Sequence, residues 1–270
     1  MSLPLTALVG LGVAAAVALG ATRASAASPD PALRRELEAV AKLKVFFGHQ
    51  SVGANVLEGL GRLAAGQGVP LNVVEVRGAE AVTAPAFAHA KVGANMDPSS
   101  KLAGFDRALG PAAKVDVALV KFCYVDVTEA TDVAALFARY QEAVKAVRAR
   151  HPGTAIVHVT TPLVAAQGGW KGAVKKLLGR GKGAANDNLR REELNALVRQ
   201  AYQGKEPLFD LARVESTRPD GGAEVDAWGG KEVRFLVPSY TQDGEHLAGE
   251  AQERAARELV RVLAALPAAR

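Results

Sequence analysis

The chain of 270 residues contains very few of the side chains that build disulfides and metal sites. Cys123 is its single cysteine, so neither an internal disulfide nor a multi-cysteine metal site can form. The five histidines show no H-x-x-x-H spacing, the arrangement that lets two histidines on one helix face bind zinc. We therefore predict no metal and no other cofactor, so any catalysis is expected to depend on side chains and backbone groups alone.

Strong charge of one sign is also missing. The net charge is +5 and the pI is about 9.4, an excess too mild to predict a nucleic-acid partner. The turn between Gly48 and Gly53 matches neither the G-x-G-x-x-G fingerprint nor a P-loop, which disfavours a nucleotide-binding domain. The hydrophobic fraction of 49%, with charges spread along the chain, indicates a globular protein.

The N-terminal segment is apolar but short. Residues 7–21 form an almost unbroken apolar run, too short for a confident membrane span, and Ala24-Ser25-Ala26 follows as a small-x-small cleavage pattern. We predict a signal peptide over residues 1–26, a secreted or periplasmic protein, and no stable membrane span after cleavage. Because residues 1–6 contain no Lys or Arg, an uncleaved N-terminal anchor is the alternative.

The rest of the chain, residues 27–270, alternates strands with helices. Predicted strands cover residues 43–47, 71–76, 115–122, 154–159 and 207–211. Predicted helices run over 31–43, from 52 to 66, from 132 to 147, over 186–202 and from 247 to 263. Residues 77–104 and 214–240 read as irregular, and no linker divides the chain. This alternation predicts a single α/β domain with helices on both faces of a parallel sheet of about five strands.

Ser51 lies at the junction between the first predicted strand and the helix that follows it. The unpaired N–H groups at a helix start favour negative charge, so a serine there could attack a carbonyl and have the oxyanion held by backbone donors. The alternative is that Ser51 only caps the helix, a role that serine often fills.

A second informative stretch precedes the last helix. Asp243 and His246 are three residues apart, so the carboxylate can accept from one imidazole nitrogen and leave the other free to take a proton. The alternative is a helix cap at Asp243 and a surface histidine.

A serine after the first strand, combined with Asp-x-x-His before the C-terminal helix, resembles the SGNH/GDSL hydrolase family. The resemblance covers nearly all of residues 43–265 and implies a flavodoxin-like, three-layer α/β/α sandwich. It implies Ser51 as the nucleophile, His246 as the general base and Asp243 as the residue that orients the base. It also implies that the N–H groups of Ser51 and Gly93 hold the oxyanion.

Two motifs depart from the family pattern. The Gly-Asp-Ser block is Gly48-His49-Gln50-Ser51 here, without the acidic residue. The third block, Gly-x-Asn-Asp in the family, is Lys-Phe-Cys-Tyr-Val-Asp at 121–126, without an asparagine. Our hypothesis is that Asn95, two residues after Gly93, supplies the missing side-chain amide.

Further residues are candidates for contact with the substrate. They are His49, Gln50, Tyr124 and Trp170. His49 is also a rival base, with a satisfied histidine at the sheet edge as the alternative, and Cys123 is either a thiolate nucleophile or buried filler. The basic stretch 171–182 is a solvated insertion or a cleft wall that attracts an anionic glycan.

Lys121 and Asp126 are expected to shape the pocket floor, and Asp210 to cap or position a neighbouring element.

The resemblance implies a secreted serine esterase, with O-acetyl groups on carbohydrate as the expected target. The expected partner is a small-molecule or glycan ester, and we assign no oligomeric state. The alternative is a catalytically weak or inactive module of the same fold that binds glycans or cell-envelope components, which the incomplete third block favours.

Overall fold

The computed structural model describes residues 30–166, 182–228 and 230–267. The predicted signal peptide at 1–26, Trp170 and all but the last residue of the basic stretch 171–182 lie outside these residues.

A six-stranded sheet, parallel throughout, forms the middle layer. Its strands are β1 (Lys44–His49), β2 (Val73–Glu75), β3 (Ala86–Lys91), β4 (Val117–Val120), β5 (Ala155–Val159) and β6 (Leu208–Phe209), in the order β2-β3-β1-β4-β5-β6. In β1, Phe46 packs in the core on one side of the sheet and Phe47 in the core on the other. Both faces are covered, which is why this strand reads as a continuous apolar run.

Helices cover both faces of the sheet. They are α1 (Pro31–Val40), α2 (Ser51–Gly66), α3 (Pro98–Leu109), α4 (Val133–Arg150), α5 (Lys182–Tyr202), α6 (Leu211–Glu215) and α7 (Glu250–Ala264). Buried residues of α1, α2 and α7 share one core, and those of α3, α4 and α5 share the other. The predicted three-layer α/β/α fold with a flavodoxin-like parallel sheet is confirmed.

The prediction of an irregular segment at 77–104 is wrong. It contains β3, which pairs with both β1 and β2, and the start of α3, whose N-cap Asp97 accepts from the N–H of Ser100. The sequence of β3 is Ala-Phe-Ala-His-Ala-Lys. Because alanine has a low strand propensity, the sequence pattern does not predict this strand. The sheet accordingly has six strands where about five were expected.

The segment 214–240 also has more structure than predicted. Strands β7 (Val225–Trp228) and β8 (Lys231–Arg234) pair as an antiparallel hairpin. The hairpin packs on α5, where the indole N–H of Trp228 donates to Asn186 Oδ1 at 2.7 Å.

No helix in the described ranges is long and apolar enough to cross a membrane.

Candidate active site

Ser51 is the first residue of α2, directly beyond the carboxyl end of β1. Gln50 occupies the N-cap position in an extended conformation (φ −135°, ψ −156°), and Ser51 is already helical. The side chain of Ser51 is therefore not used to cap the helix, and the residue is exposed. This places a serine hydroxyl at the positive end of a helix and at the sheet edge where α/β proteins bind ligands.

A chain of two hydrogen bonds joins Ser51 to His246 and Asp243. The Oγ of Ser51 lies 3.0 Å from Nε2 of His246. The Nδ1 of His246 lies 2.7 Å from Oδ2 of Asp243. Side chains from the two ends of the sequence thus meet at one point of the sheet edge.

Asp243 sets the tautomer of the imidazole. Its Oδ1 accepts from the backbone N–H groups of Glu245 and His246, both at 2.8 Å. The backbone hydrogen bond from His246 is the main reason why the pKa of this carboxyl lies below its usual range. The ionised carboxylate accepts a hydrogen bond from Nδ1–H, which keeps the proton on Nδ1, so the lone pair of Nε2 faces the hydroxyl of Ser51, as general-base catalysis requires.

Two backbone N–H groups, those of Ser51 and Gly93, are the candidates to hold an oxyanion. Among the described residues, neither the N–H of Ser51 nor that of Gly93 donates a hydrogen bond. Gly93 has a positive φ of 62°, and a Cβ there would lie 2.5 Å from the backbone of Lys101, so the loop fits closely against α3 only as glycine. Gln50 Nε2 donates to the carbonyls of Val92 (3.0 Å) and Gly93 (2.9 Å), which ties this loop to the residue before the serine.

The predicted third donor, Asn95, follows on the same loop. It is exposed, and its Oδ1 accepts from Nζ of the buried Lys101 at 3.1 Å. Because an ammonium group only donates, the amide oxygen must face Lys101 and the Nδ2 group remains available as a donor. Lys101 also pairs with Asp126, which comes from the loop after β4.

His49 is buried, which corrects its predicted role in substrate contact and as a rival base. It is 1% exposed, and both ring nitrogens are engaged: Nδ1 with the carbonyl of Gln50 at 2.7 Å, and Nε2 with Nδ1 of His89 at 3.1 Å. Burial lowers the pKa of His49 to about 4, so the ring is neutral at pH 7. Nδ1–H therefore donates to Gln50, and Nε2 accepts from His89. This is the satisfied histidine at the sheet edge.

Tyr124 forms a wall behind the imidazole. Its ring meets that of His246 edge to face, with centroids 5.7 Å apart, and its hydroxyl donates to Oε2 of Glu245 at 2.7 Å. The buried side chain of Arg191 holds the backbone of Tyr124, because its Nε donates to the Tyr124 carbonyl at 2.8 Å. Tyr124 is 9% exposed, so little of it is open to solvent, and its contact with a substrate stays a prediction.

The remaining candidates have structural roles. Cys123 is 1% exposed, in keeping with its reading as buried filler, and Lys121 Nζ donates to the carbonyl of Phe122 at 3.0 Å. Asp210 caps α6 by accepting from the N–H of Arg213, as expected, and also pairs with Arg199.

Sequence reasoning did not assign the partners that hold these groups: Lys101, Arg191 and Glu245. Lys101 and Arg191 are charged residues that sequence patterns place in solvent by default, and no local motif marks them as buried. Within the described part of the chain, no group of three or more His, Cys, Asp or Glu side chains is arranged to hold a metal ion.

Several solved structures are similar to this chain. A protein from Streptococcus pneumonia, described as a candidate platelet activating factor, aligns with a TM-score of 0.52 at 15% identity over 86% of this chain and 91% of its own. A candidate acylhydrolase from Bacteroides fragilis aligns with a TM-score of 0.49 at 16% identity, over 81% and 85%. A variant of an acetyl-xylooligosaccharide esterase from Geobacillus Stearmophilus gives 0.46 at 10% identity, over 85% and 97%.

Identities this low concern the fold alone. The fold that the chain shares with the Streptococcus protein agrees with the three-layer α/β/α sandwich that the resemblance to the SGNH/GDSL hydrolases implied. No protein-family model and no curated protein sequence matches the chain.

Proposed function

We propose that this protein is a serine esterase that hydrolyses carboxylic esters through Ser51, His246 and Asp243. The observation that supports this best is the unbroken chain of hydrogen bonds from Ser51 Oγ through the imidazole to the Asp243 carboxylate, at 3.0 and 2.7 Å. A role as a helix cap would not account for the hydrogen bond between Ser51 and a histidine that lies far away in the sequence.

The reaction follows from this arrangement. Ser51 Oγ forms a bond to the ester carbonyl carbon while its proton moves to Nε2 of His246, and the imidazolium is stabilised by Asp243. The N–H groups of Ser51 and Gly93, with the amide of Asn95, hold the oxyanion. His246 then returns the proton to the departing alcohol, and a water molecule deacylates Ser51 by the same steps in reverse.

We further propose that the substrate is an acyl group carried by carbohydrate, with O-acetyl groups as the first to test. The support is the family resemblance and the openness of the site, where Ser51 is exposed and the side chain of His246 is 32% exposed. An open nucleophile suits an ester that projects from a large alcohol. Export of the chain through a signal peptide at residues 1–26 would bring it to extracellular or periplasmic glycans.

The alternative is a binding module that keeps the fold without catalysis. It is favoured by one observation, the absence of an asparagine from the third block at 121–126. Such a module would bind glycans or envelope components at the same edge of the sheet.

A fluorophosphonate probe tests the proposal, because it labels only activated serines. We expect wild type to label and Ser51→Ala and His246→Ala not to label, with the modified peptide containing Ser51. Asp243→Asn should slow hydrolysis of an acetate ester by several orders of magnitude, about 10⁴-fold in other Ser-His-Asp sites. Ser99→Ala is the matched control, since Ser99 bonds to Arg139 at the start of α3 and touches none of these groups.

Equal labelling of wild type and Ser51→Ala would place the nucleophile elsewhere and refute the assignment. A folded wild type that neither labels nor hydrolyses acetate esters would favour the binding module.

A further inference from the structure

The most unusual feature outside the hydrogen-bond chain of the site is a buried ion pair between Lys101 and Asp126. Both side chains have 0% exposure, and Nζ lies 2.5 Å from Oδ2. Lysine is almost never fully buried, and a buried pair contributes little stability compared with apolar side chains of the same volume. The pair therefore calls for an explanation by what it positions.

The other bonds of the pair lead to two consecutive residues of one loop. Lys101 Nζ donates to Oδ1 of Asn95 at 3.1 Å. Asp126 Oδ1 accepts from the backbone N–H of Met96 at 2.9 Å. Asp126 Oδ2 also accepts from the N–H of Cys123 at 2.6 Å, so the pair joins this loop to the one that follows β4.

The loop would not hold this shape by itself. Met96 has a positive φ of 67°, a conformation that non-glycine residues rarely adopt, and it is 77% exposed, so little packing fixes its side chain. Its N–H bond to Asp126 is the contact that holds the backbone there. Gln50 secures the other end of the loop through the carbonyls of Val92 and Gly93.

We propose that Lys101 and Asp126 are positioning residues for the oxyanion donors, and that they fix the Asn95 amide in the role left open by the missing asparagine of the third block. This inference rests on the proposed esterase function. Lys101 determines which way the amide faces, because only Oδ1 can accept from it, and Asp126 fixes the backbone on which Asn95 stands. Neither residue needs to touch the substrate.

The test is a thermodynamic cycle in which the pair and Asn95 are changed separately and together. The double variant Lys101→Met/Asp126→Asn removes both charges at similar volume and leaves no buried unpaired ion. The readouts are the rate constant for fluorophosphonate labelling, kcat and KM for an acetate ester, and the melting temperature. The control is Arg199→Met/Asp210→Asn, which removes a part-buried ion pair away from the site.

Asn95→Ala should lower kcat and the labelling rate by roughly 10²–10³-fold with little change in KM, as loss of one oxyanion donor does. The double variant should lower them to a similar extent. If the pair acts through Asn95, adding it to Asn95→Ala should cost no more than a further factor of about 3, because coupled residues are non-additive. The control should lower the melting temperature without changing kcat.

Fully multiplicative effects of the pair and Asn95 would overturn the inference, as would a double variant that melts lower but keeps the wild-type kcat. If the double variant does not fold, Asn95→Asp decides: it keeps an acceptor for Lys101 but has no donor, and a wild-type rate would refute the role of the amide. Failure of the proposed function is separate, since Ser51→Ala would then label or hydrolyse as wild type does.

Discussion

Two glycines of α2, only two residues apart, offer a direct test of how the site is assembled. A methyl group added at Gly59 would lie 2.2 Å from the carbonyl oxygen of Gln252 in α7. A methyl group added at Gly61 would meet nothing within 4 Å. Helix α2 begins with Ser51, and α7 follows shortly after His246, so we expect the close approach at Gly59 to influence the distance between these two side chains.

The expected magnitudes follow from this geometry. Both Gly→Ala changes gain about 0.5–1 kcal/mol from helix propensity. At Gly59, reaching an ordinary contact of 3.4 Å from 2.2 Å requires the helices to separate by more than an ångström. Overpacking of this kind costs about 1–3 kcal/mol. We therefore expect Gly61→Ala to raise the melting temperature by a few degrees. We expect Gly59→Ala to melt roughly 2–12 °C below Gly61→Ala, at 2–4 °C per kcal/mol.

The same separation should lengthen the bond between Ser51 and His246. A displacement of about 1 Å in a reacting group can cost about 10²-fold in rate. We expect Gly59→Ala to label with fluorophosphonate at a much lower rate at a temperature where it remains folded, and Gly61→Ala to label as wild type does. Equal upward shifts of the two melting temperatures would refute the close helix contact. A destabilised Gly59→Ala with an unchanged labelling rate would show that helix spacing does not control the serine–histidine pair.

Three further changes test other parts of the structure. Gly93→Ala should lower the labelling rate by at least about 10²-fold, because the new Cβ would lie 2.5 Å from the backbone of Lys101 and would displace the loop that carries the Gly93 N–H. Because alanine keeps this N–H, an unchanged rate would show that the position of the loop does not control labelling. Burial raises the pKa of the Glu215 carboxyl from 4.5 to about 8, so between these pH values the folded chain keeps a proton that the unfolded chain releases. The stability of the folded chain should therefore fall as the pH rises from about 5 to 8. Glu215→Gln should flatten that decline in melting curves recorded across the range, and an identical slope would contradict a neutral Glu215. Burial lowers the pKa of His49 from 6.5 to about 4, so the stability of the folded chain should also fall as the pH drops from 6.5 to 4. His49→Asn should weaken this dependence in melting curves recorded over the same pH range. A dependence equal to that of wild type would argue against a buried neutral ring.

The parts of the fold that follow local patterns were predictable. Five of the six strands of the parallel sheet and five of the seven helices in the described residues carry apolar periodicity strong enough to locate them, with ends within a few residues, whereas α3 and α6 were not predicted. Strand β3 was missed because its inward positions on one side are Ala86, Ala88 and Ala90, and alanine signals helix more than strand. The β7–β8 hairpin had a signal, the glycine pair at 229–230 between two short runs, but its strands are largely polar and exposed.

Within the candidate site, the meeting of Ser51 with His246 could be anticipated from the resemblance, because order along the chain places both at one sheet edge. The buried pair of Lys101 and Asp126 could not. Its partners come from a loop with an irregular backbone and from the end of another strand, and no periodicity encodes such a contact. The burial of His49 was likewise a matter of depth below the sheet edge, which sequence does not give.

The exposure of the site has a kinetic consequence. Ser51 is open to solvent and the Asp243 side chain is 54% exposed, so under the proposed esterase function no segment of the described chain would have to move aside before an ester arrives or an alcohol departs. For that proposed function, the described residues would let an acyl group in the middle of a long polymer reach the serine as readily as one at its end. Turnover by such a site would be governed by the bond-making steps themselves, and its discrimination between substrates would depend on the surface around the serine instead of on enclosure.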